Sequence, residues 1–318
     1  MSAGARSGGI VRRPPARPGP GGVARRAAVL ASALAALSAL LVPPAATAEQ
    51  VLHRQKSLYR DILVTESGGE RCMTFSTRSR AHNRQSCIRT DAPDRLVLDY
   101  TRLMMAGLYV QPAPRRILVV GLGGGILPRT LAKLLPAATI DAVEIDEAVV
   151  DVAKKWFLFV PSARVRVAVQ DGRVYVKRAL KNGARYDLVF LDAYDHEYIP
   201  EHLLTREFLQ EVRGLLAPGG AVVANTFSSS RLYDSESATY AAVFGPFQQR
   251  QTGNRVIVAG TLPGAATRRA RAEQWREAFR PLGVEPEWLL ARWEERPRHD
   301  ARARVLTDQY SPSNLLNR

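Results

Sequence analysis

The stretch Arg116-Ile-Leu-Val-Val-Gly-Leu-Gly-Gly-Gly-Ile-Leu-Pro-Arg-Thr130 joins a short apolar run to a cluster of glycines and then to a second apolar series. The run Ile117–Val120 is apolar and mostly β-branched, which predicts a buried strand. Apolar residues between positions 126 and 135 recur at helical spacing. A strand, a glycine turn and a helix in this order are typical of the opening of a nucleotide-binding α/β unit. For the loop alone, the alternative is a tight turn that binds nothing.

The glycines are the first candidate ligand-binding residues. Without a Cβ atom, Gly121, Gly123 and Gly125 let the backbone approach a ligand closely. The helix that follows would present free N–H groups to the same ligand.

Three acids follow predicted strands in succession. Glu144 ends the strand predicted at Thr139–Glu144, about 20 residues past the glycines, where a doubly wound fold binds a ribose diol. Asp171 follows the next strand and is placed to accept a hydrogen bond from an exocyclic amine such as that of adenine. Asp192 ends the strand Tyr186–Asp192 and is the best candidate general base, with capping of the loop as the alternative. Asp146 is expected to cap the helix after Glu144.

Strands and helices alternate along the rest of the chain, which predicts a doubly wound α/β fold with a mostly parallel sheet covered on both faces. The predicted organisation is a signal peptide at 1–48, a small β region with a linking helix at 49–111, a Rossmann-like domain at 112–262, and a C-terminal helix and tail at 263–318.

The formal charge of the chain is +15, and six of its arginines lie in the first 48 residues, which contain no acid. Arg25-Arg26, an apolar run from Ala27 to Val42 and the small residues Ala46-Thr47-Ala48 are typical of a secretory signal cleaved before Glu49. The expected location is therefore periplasmic or secreted, with an uncleaved membrane anchor or a mis-assigned start as alternatives. The sequence shows no motif that combines aromatic and basic residues, so specific nucleic-acid binding is not expected. Whether the basic surface contacts a membrane and whether the protein forms a homodimer are left open.

Cys72 and Cys87 are the only cysteines, and both follow the leader. In an exported chain this spacing suggests one disulfide, whereas the alternative is two unrelated buried thiols. The chain has no CxxC or His/Cys cluster, so no metal site is expected.

Several motifs now resemble one family. Gly121-Leu-Gly-Gly-Gly125, Val143-Glu-Ile-Asp146, Gln170-Asp-Gly172, Leu191-Asp-Ala-Tyr-Asp195 and Ile199–Phe208 are similar to the spermidine synthases, which are polyamine aminopropyltransferases. The resemblance implies a class I methyltransferase-like Rossmann fold with a small N-terminal β domain.

The resemblance also implies roles for individual residues. Decarboxylated S-adenosylmethionine would be the co-substrate, with its ribose on Glu144 and its adenine on Asp171 beside Gly172. Asp192 would take a proton from a small-molecule amine, and Asp195 would bind an amine of that substrate. Tyr194 and Tyr100 are further expected substrate contacts.

The chain departs from the family pattern at three places. Gly124 stands where the family has an Asp, Thr101-Arg102 replace the His and Glu of its Tyr-His-Glu motif, and Arg60 replaces a Gln. An arginine beside a polycation would be unfavourable. These departures leave two alternatives: a methyltransferase on the same fold that uses S-adenosylmethionine, and a non-catalytic exported scaffold.

Overall fold

The computed structural model of the chain describes residues 49–75, 84–193, 200–227 and 232–312, together with Met1 and Pro14. The signal peptide predicted at residues 1–48 lies almost wholly outside the described residues, and so do Tyr194 and Asp195. The compact unit Ala48–Arg318 contains both of the sheets described below.

The N-terminal part forms an antiparallel sheet whose strands follow chain order: β1 (Gln50–Lys56), β2 (Asp61–Ser67), β3 (Glu70–Thr74) and β4 (Arg84–Arg89). The β2–β3 hairpin turns at Gly68 and Gly69, and both glycines have positive φ. The sequence pattern missed β1 and β4, because neither strand alternates polar and apolar residues clearly.

The disulfide predicted from the cysteine count is present in this sheet. Cys72 on β3 and Cys87 on β4 are directly paired across the two strands, and both side chains are buried. The bond therefore ties β4 to β3.

Two short helices, α1 (Asp99–Met104) and α2 (Gly107–Val110), lead to the second sheet. One linking helix was predicted in this part of the chain, whereas the structure has two. The chain before Asp99 is not helical, and a break at Met105–Ala106 separates the two helices.

The second sheet is built from alternating strands and helices. Its successive elements are β5 (Arg116–Val120), α3 (Ile126–Leu134), β6 (Thr139–Glu144), α4 (Glu147–Trp156), β7 (Val165–Val169), α5 (Gly172–Lys181), β8 (Tyr186–Leu191), α6 (Arg206–Gly214) and β9 (Leu216–Phe227). These five strands pair in parallel in the order β7-β6-β5-β8-β9. The central residues of β5, β6, β8 and β9 are buried between helices on both faces, as the continuous apolar runs predicted, whereas the edge strand β7 is largely half-buried or exposed.

Antiparallel strands extend the sheet beyond β9. The chain continues through α7 (Tyr233–Phe244), β10 (Gln248–Gln251), β11 (Asn254–Gly260), α8 (Ala265–Phe279), α9 (Pro286–Leu290) and β12 (Glu294–Glu295). β11 pairs with β9, β10 with β11, and β12 with β10. The predicted mostly parallel, doubly wound α/β fold is confirmed.

The segment after β12 was predicted to be a loose tail, but it packs on the domain. Leu306 is fully buried, its N–H donates to Oγ1 of Thr239, and its carbonyl accepts from the N–H of Arg206. Within the described part of the chain, no helix combines the length and the apolar character that a membrane crossing requires.

Candidate functional site

The carboxyl ends of the parallel strands open into one cavity. The predicted residues that line it are Gly121, Gly123, Glu144, Asp171, Gly172, Asp192 and Tyr100. Except for Tyr100, which lies on α1, they follow or flank β5, β6, β7 and β8, whose carboxyl ends meet at the same edge of the sheet. Gly125 does not line the cavity but is the N-cap of α3, with a φ of 69°. The N-terminal sheet contributes Phe75 and Gln85 to the same cavity.

The glycine loop touches the backbone beside Asp192. A Cβ atom on Gly121 would lie 2.1 Å from the carbonyl oxygen of Asp192, and Gly121 has a φ of 95°. Only glycine fits this close approach. The loop and the candidate base are therefore held at a fixed separation.

Gly124 has no room for a side chain. A Cβ atom on Gly124 would lie 2.9 Å from Cβ of Ser86 and 3.1 Å from the ring of Phe157. An acid at this position would therefore press against Ser86 and Phe157.

Glu144 is buried, and both of its carboxylate oxygens accept backbone hydrogen bonds. Oε2 accepts from the N–H of Leu122 at 3.0 Å, and Oε1 accepts from the N–H of Asp146 at 3.2 Å. Burial raises the pKa of Glu144, while these bonds and the positive charge of Arg60 lower it. Each oxygen keeps a further lone pair that can accept from a ligand hydroxyl.

Asp146 caps a helix, as predicted. Its Oδ1 accepts from the N–H of Ala148 at the start of α4, and its Oδ2 accepts from the hydroxyl of Ser57.

Asp171 faces the cavity but already has two partners. Its Oδ1 accepts from the N–H of Val174 as the N-cap of α5. Its Oδ2 lies 2.8 Å from Nε2 of His202, which also lines the cavity. The sequence analysis missed His202; the available signal was a histidine close behind the strand-end acids.

Arg173 joins this wall of the cavity to the C-terminal segment. The guanidinium is buried and binds both oxygens of Asp308, at 2.6 and 2.7 Å, as well as both oxygens of Glu211. It also donates to the carbonyl of His202 at 3.3 Å. The hydroxyl of Thr205 donates to Asp308. The chain on both sides of the Asp171–His202 contact is therefore anchored by one ion-pair cluster.

Asp192 stands directly after β8 and lines the cavity. Its Oδ1 accepts a hydrogen bond of 2.9 Å from Nδ2 of Asn225. Burial raises the pKa of Asp192 to about 7, and the negative charge of Glu144 adds to this, whereas the hydrogen bond from Asn225 and the nearby Tyr100 hydroxyl lower it. A carboxyl group with this pKa can take up a proton at neutral pH.

Tyr100 lies between the two sheets. Its hydroxyl donates to the carbonyl of Gln85 at 2.9 Å, and burial together with the charge of Asp192 raises its pKa well above the usual value.

The substituted motif at Thr101-Arg102 does not face the cavity. Thr101 donates to the carbonyl of Leu98, and Arg102 pairs with Asp99 and lies over the ring of Trp288. The expectation that Arg102 would place a cation in the substrate site is therefore wrong. Arg60 does line the cavity, where its guanidinium stacks on the ring of Phe75 at 4.2 Å.

Among the described residues, no group of three or more His, Cys, Asp or Glu side chains could hold a metal ion.

Comparisons with known proteins agree with the resemblance noted from the motifs. Residues 99–256 match the sequence model of the family described as "Spermine/spermidine synthase domain". The chain is 45% identical over 295 residues to a polyamine aminopropyltransferase of Vibrio vulnificus, and the match covers 89% of this chain and 96% of that protein.

Two solved structures show the same fold. A probable spermidine synthase from Corynebacterium glutamicum superposes with a TM-score of 0.59 at 20% identity, over 80% of this chain and 98% of that one. Human methyltransferase-like protein 13, solved in complex with SAH, superposes with a TM-score of 0.50 at 26% identity, over 65% of this chain and 97% of that one.

Proposed function

Because this chain belongs to the spermine/spermidine synthase family, we propose that it is an aminopropyltransferase that moves the aminopropyl group of decarboxylated S-adenosylmethionine to a small amine. The observation that carries the proposal is the position of Asp192. Its backbone lies against Gly121 of the glycine loop, and Asp192 lines the same cavity as Glu144 and Asp171.

The proposed reaction is a displacement at carbon. The acceptor amine is protonated in water and attacks only after it loses a proton, which Asp192 accepts. The amine lone pair forms a C–N bond to the methylene carbon next to the sulfonium, and the C–S bond breaks. The electron pair of that bond stays on sulfur and neutralises it, so methylthioadenosine leaves as a neutral thioether.

The nucleoside would lie along the glycine loop. The free lone pairs of Glu144 suit the ribose hydroxyls, because its oxygens are already oriented by Leu122 and Asp146. The Asp171–His202 pair would meet the adenine edge, since both side chains line the cavity.

The amine end of the site differs from the family pattern. In the described part of the chain, the acids that line the cavity are Glu144, Asp171 and Asp192, and Gly124 leaves no space for a fourth on the loop. Arg60 adds a positive charge. We therefore expect weak activity on putrescine and better activity on an acceptor with fewer positive charges.

The deciding assay measures methylthioadenosine release with a panel of amines. Asp192→Asn should lower turnover by about 10²–10⁴-fold while nucleoside affinity is nearly unchanged. Asp187→Asn is the matched control, since Asp187 lies on the same strand but outside the cavity and binds the N–H groups of Arg115 and Arg116.

Other outcomes would overturn the proposal. Equal rates for wild type and Asp192→Asn would contradict the role of Asp192 as the base, and no release with any amine would favour the scaffold alternative. S-adenosylhomocysteine formed from S-adenosylmethionine would instead identify a methyltransferase.

We further propose that the protein is exported. The leader predicted at residues 1–48 and the Cys72–Cys87 bond support this location, because disulfides persist in oxidising compartments. Mass spectrometry of protein from its native host should find Glu49 as the N-terminus. An intact leader in protein from the cytoplasm would contradict export.

A further inference from the structure

Behind Asp192, two asparagines form a chain of hydrogen bonds that leads away from the cavity. Nδ2 of Asn225 donates to Oδ1 of Asp192 at 2.9 Å, and Nδ2 of Asn254 donates to Oδ1 of Asn225 at 2.9 Å. Neither asparagine lines the cavity. Any effect of Asn225 and Asn254 on the reaction is therefore exerted through Asp192.

The register of the sheet brings the three side chains together. β8 and β9 pair in parallel with Leu191 opposite Ala224, so the next residues, Asp192 and Asn225, are neighbours. β11 pairs with β9 with Val256 opposite Asn225, and Asn254 lies two residues before Val256, on the same face.

The second bond fixes which end of the Asn225 amide meets Asp192. An amide has a donor end and an acceptor end, and an ionised carboxylate can only accept. Because Asn254 donates to the Asn225 oxygen, the Asn225 nitrogen is turned towards Asp192. In the opposite orientation, the Asn225 oxygen would face the carboxylate and would favour its protonated form.

We propose that Asn254 and Asn225 are positioning residues that orient the Asp192 carboxylate and keep it available as a proton acceptor, an inference that rests on the proposed function. Asn225 is buried, so the amide is shielded from water that could replace its contacts. The Oδ1 oxygen of Asp192 is thereby held in place.

Other titratable and charged groups face Asp192 and must stay constant in a test. Those that line the same cavity are Tyr59, Arg60, Tyr100, Glu144, Asp171 and His202. Of these, Glu144 raises the pKa of Asp192, and the Tyr100 hydroxyl lowers it, as does the hydrogen bond from Asn225. Removing the Asn225 donor, or turning it round, should therefore raise the pKa of Asp192.

The experiment compares two substitutions of Asn254. Because this residue is only partly buried, we expect both variants to fold. Asn254→Ala removes the donor, and Asn254→Asp keeps the shape but offers only acceptors, which should reverse the Asn225 amide. The control is Gln251→Ala, at an exposed position of the same β10–β11 hairpin.

Two readouts separate this inference from the proposed function. The first is the acidic limb of the pH profile of kcat/KM for methylthioadenosine release. The second is the titration of Asp192 by carbon-13 NMR of aspartate-labelled protein, assigned by the resonance missing from Asp192→Asn.

Both Asn254 variants should move the Asp192 titration and the acidic limb up by about one pH unit, with the larger shift in Asn254→Asp. Gln251→Ala should match wild type. Unchanged titration of Asp192 in both Asn254 variants would overturn the inference, even if their activity fell. If wild type releases no methylthioadenosine, the proposed function fails, and the NMR titration alone decides the role of the asparagines.

Discussion

The hydroxyl oxygen of Ser86 accepts a hydrogen bond from the backbone N–H of Gly124 at 2.8 Å, and it joins the N-terminal sheet to the glycine loop. Ser86 is buried and lies on β4 next to Cys87 and Gln85. The small sheet thus supports the nucleoside loop as well as lining the cavity.

This contact makes restoration of the family's loop acid unfavourable. Gly124→Asp would press its Cβ atom against Ser86 and Phe157, so we expect a loss of roughly 1–3 kcal/mol in the free energy of unfolding. Denaturant unfolding measures the loss. Ser86→Gly combined with Gly124→Asp should recover part of it, because the Cβ of Ser86 is removed. A single Gly124→Asp variant as stable as wild type would show that the loop has more freedom than the packing indicates.

The raised pKa of Asp192 has a consequence for stability. The pKa of Asp192 is about 7 in the folded chain and 3.8 as an ordinary aspartate. Between these values the folded state binds more protons than the unfolded state, so the Asp192 contribution to stability is fully present below about pH 4 and is lost as the pH rises through 7.

Asp192→Asn should therefore stabilise the protein at pH 8, by an amount on the order of a few kcal/mol, and the gain should shrink towards pH 4. Thermal unfolding at several pH values tests this without any substrate. For the control Asp187→Asn, the difference in stability from wild type should not increase with pH. A stability difference that does not depend on pH would mean that Asp192 titrates normally.

Glu144 should be required for nucleoside affinity. Glu144→Ala is expected to weaken methylthioadenosine binding by roughly 1–3 kcal/mol, the scale of a lost buried hydrogen-bond partner. Isothermal calorimetry provides the measurement. Glu147→Ala, an exposed acid in the first turn of α4, is the control and should bind as wild type. If wild type itself shows no binding, the nucleoside site is refuted.

The disulfide should contribute to both stability and binding. Cys72 and Cys87 close a loop with a sequence separation of 15, so Cys72→Ser with Cys87→Ser should lower the free energy of unfolding by roughly 3 kcal/mol. Because Gln85 and Ser86 lie on the same strand, nucleoside affinity should also fall. Adding a reductant should lower the free energy of unfolding and the nucleoside affinity of wild type, and should change neither in the double variant. Equal stability with and without reductant would contradict this prediction.

The sequence was sufficient to predict the rim of the site. Glu144, Asp171 and Asp192 each follow an apolar run, and parallel strands bring such positions to one edge whatever the details of packing. Their location was therefore predictable from local pattern alone.

The partners of these acids were harder to predict because they come from distant parts of the chain. Ser86 reaches Gly124 through a strand that has little alternation, and Asn254 reaches Asn225 only through the register of an antiparallel pair. Asn225 did leave a signal: a polar side chain near the carboxyl end of an otherwise apolar strand. Arg102 was misplaced because a motif position does not determine the direction of a side chain.

The ion-pair cluster around Arg173 also affects biosynthesis. Asp308, which binds the guanidinium at 2.6 Å, follows Arg173 by 135 residues. The ribosome therefore delivers the glycine loop, the strand-end acids and His202 well before the carboxylate that anchors them. In a nascent chain halted before Asp308, Arg173 can pair with Glu211 but lacks its contact with Asp308, so this wall of the cavity acquires its final form late in translation.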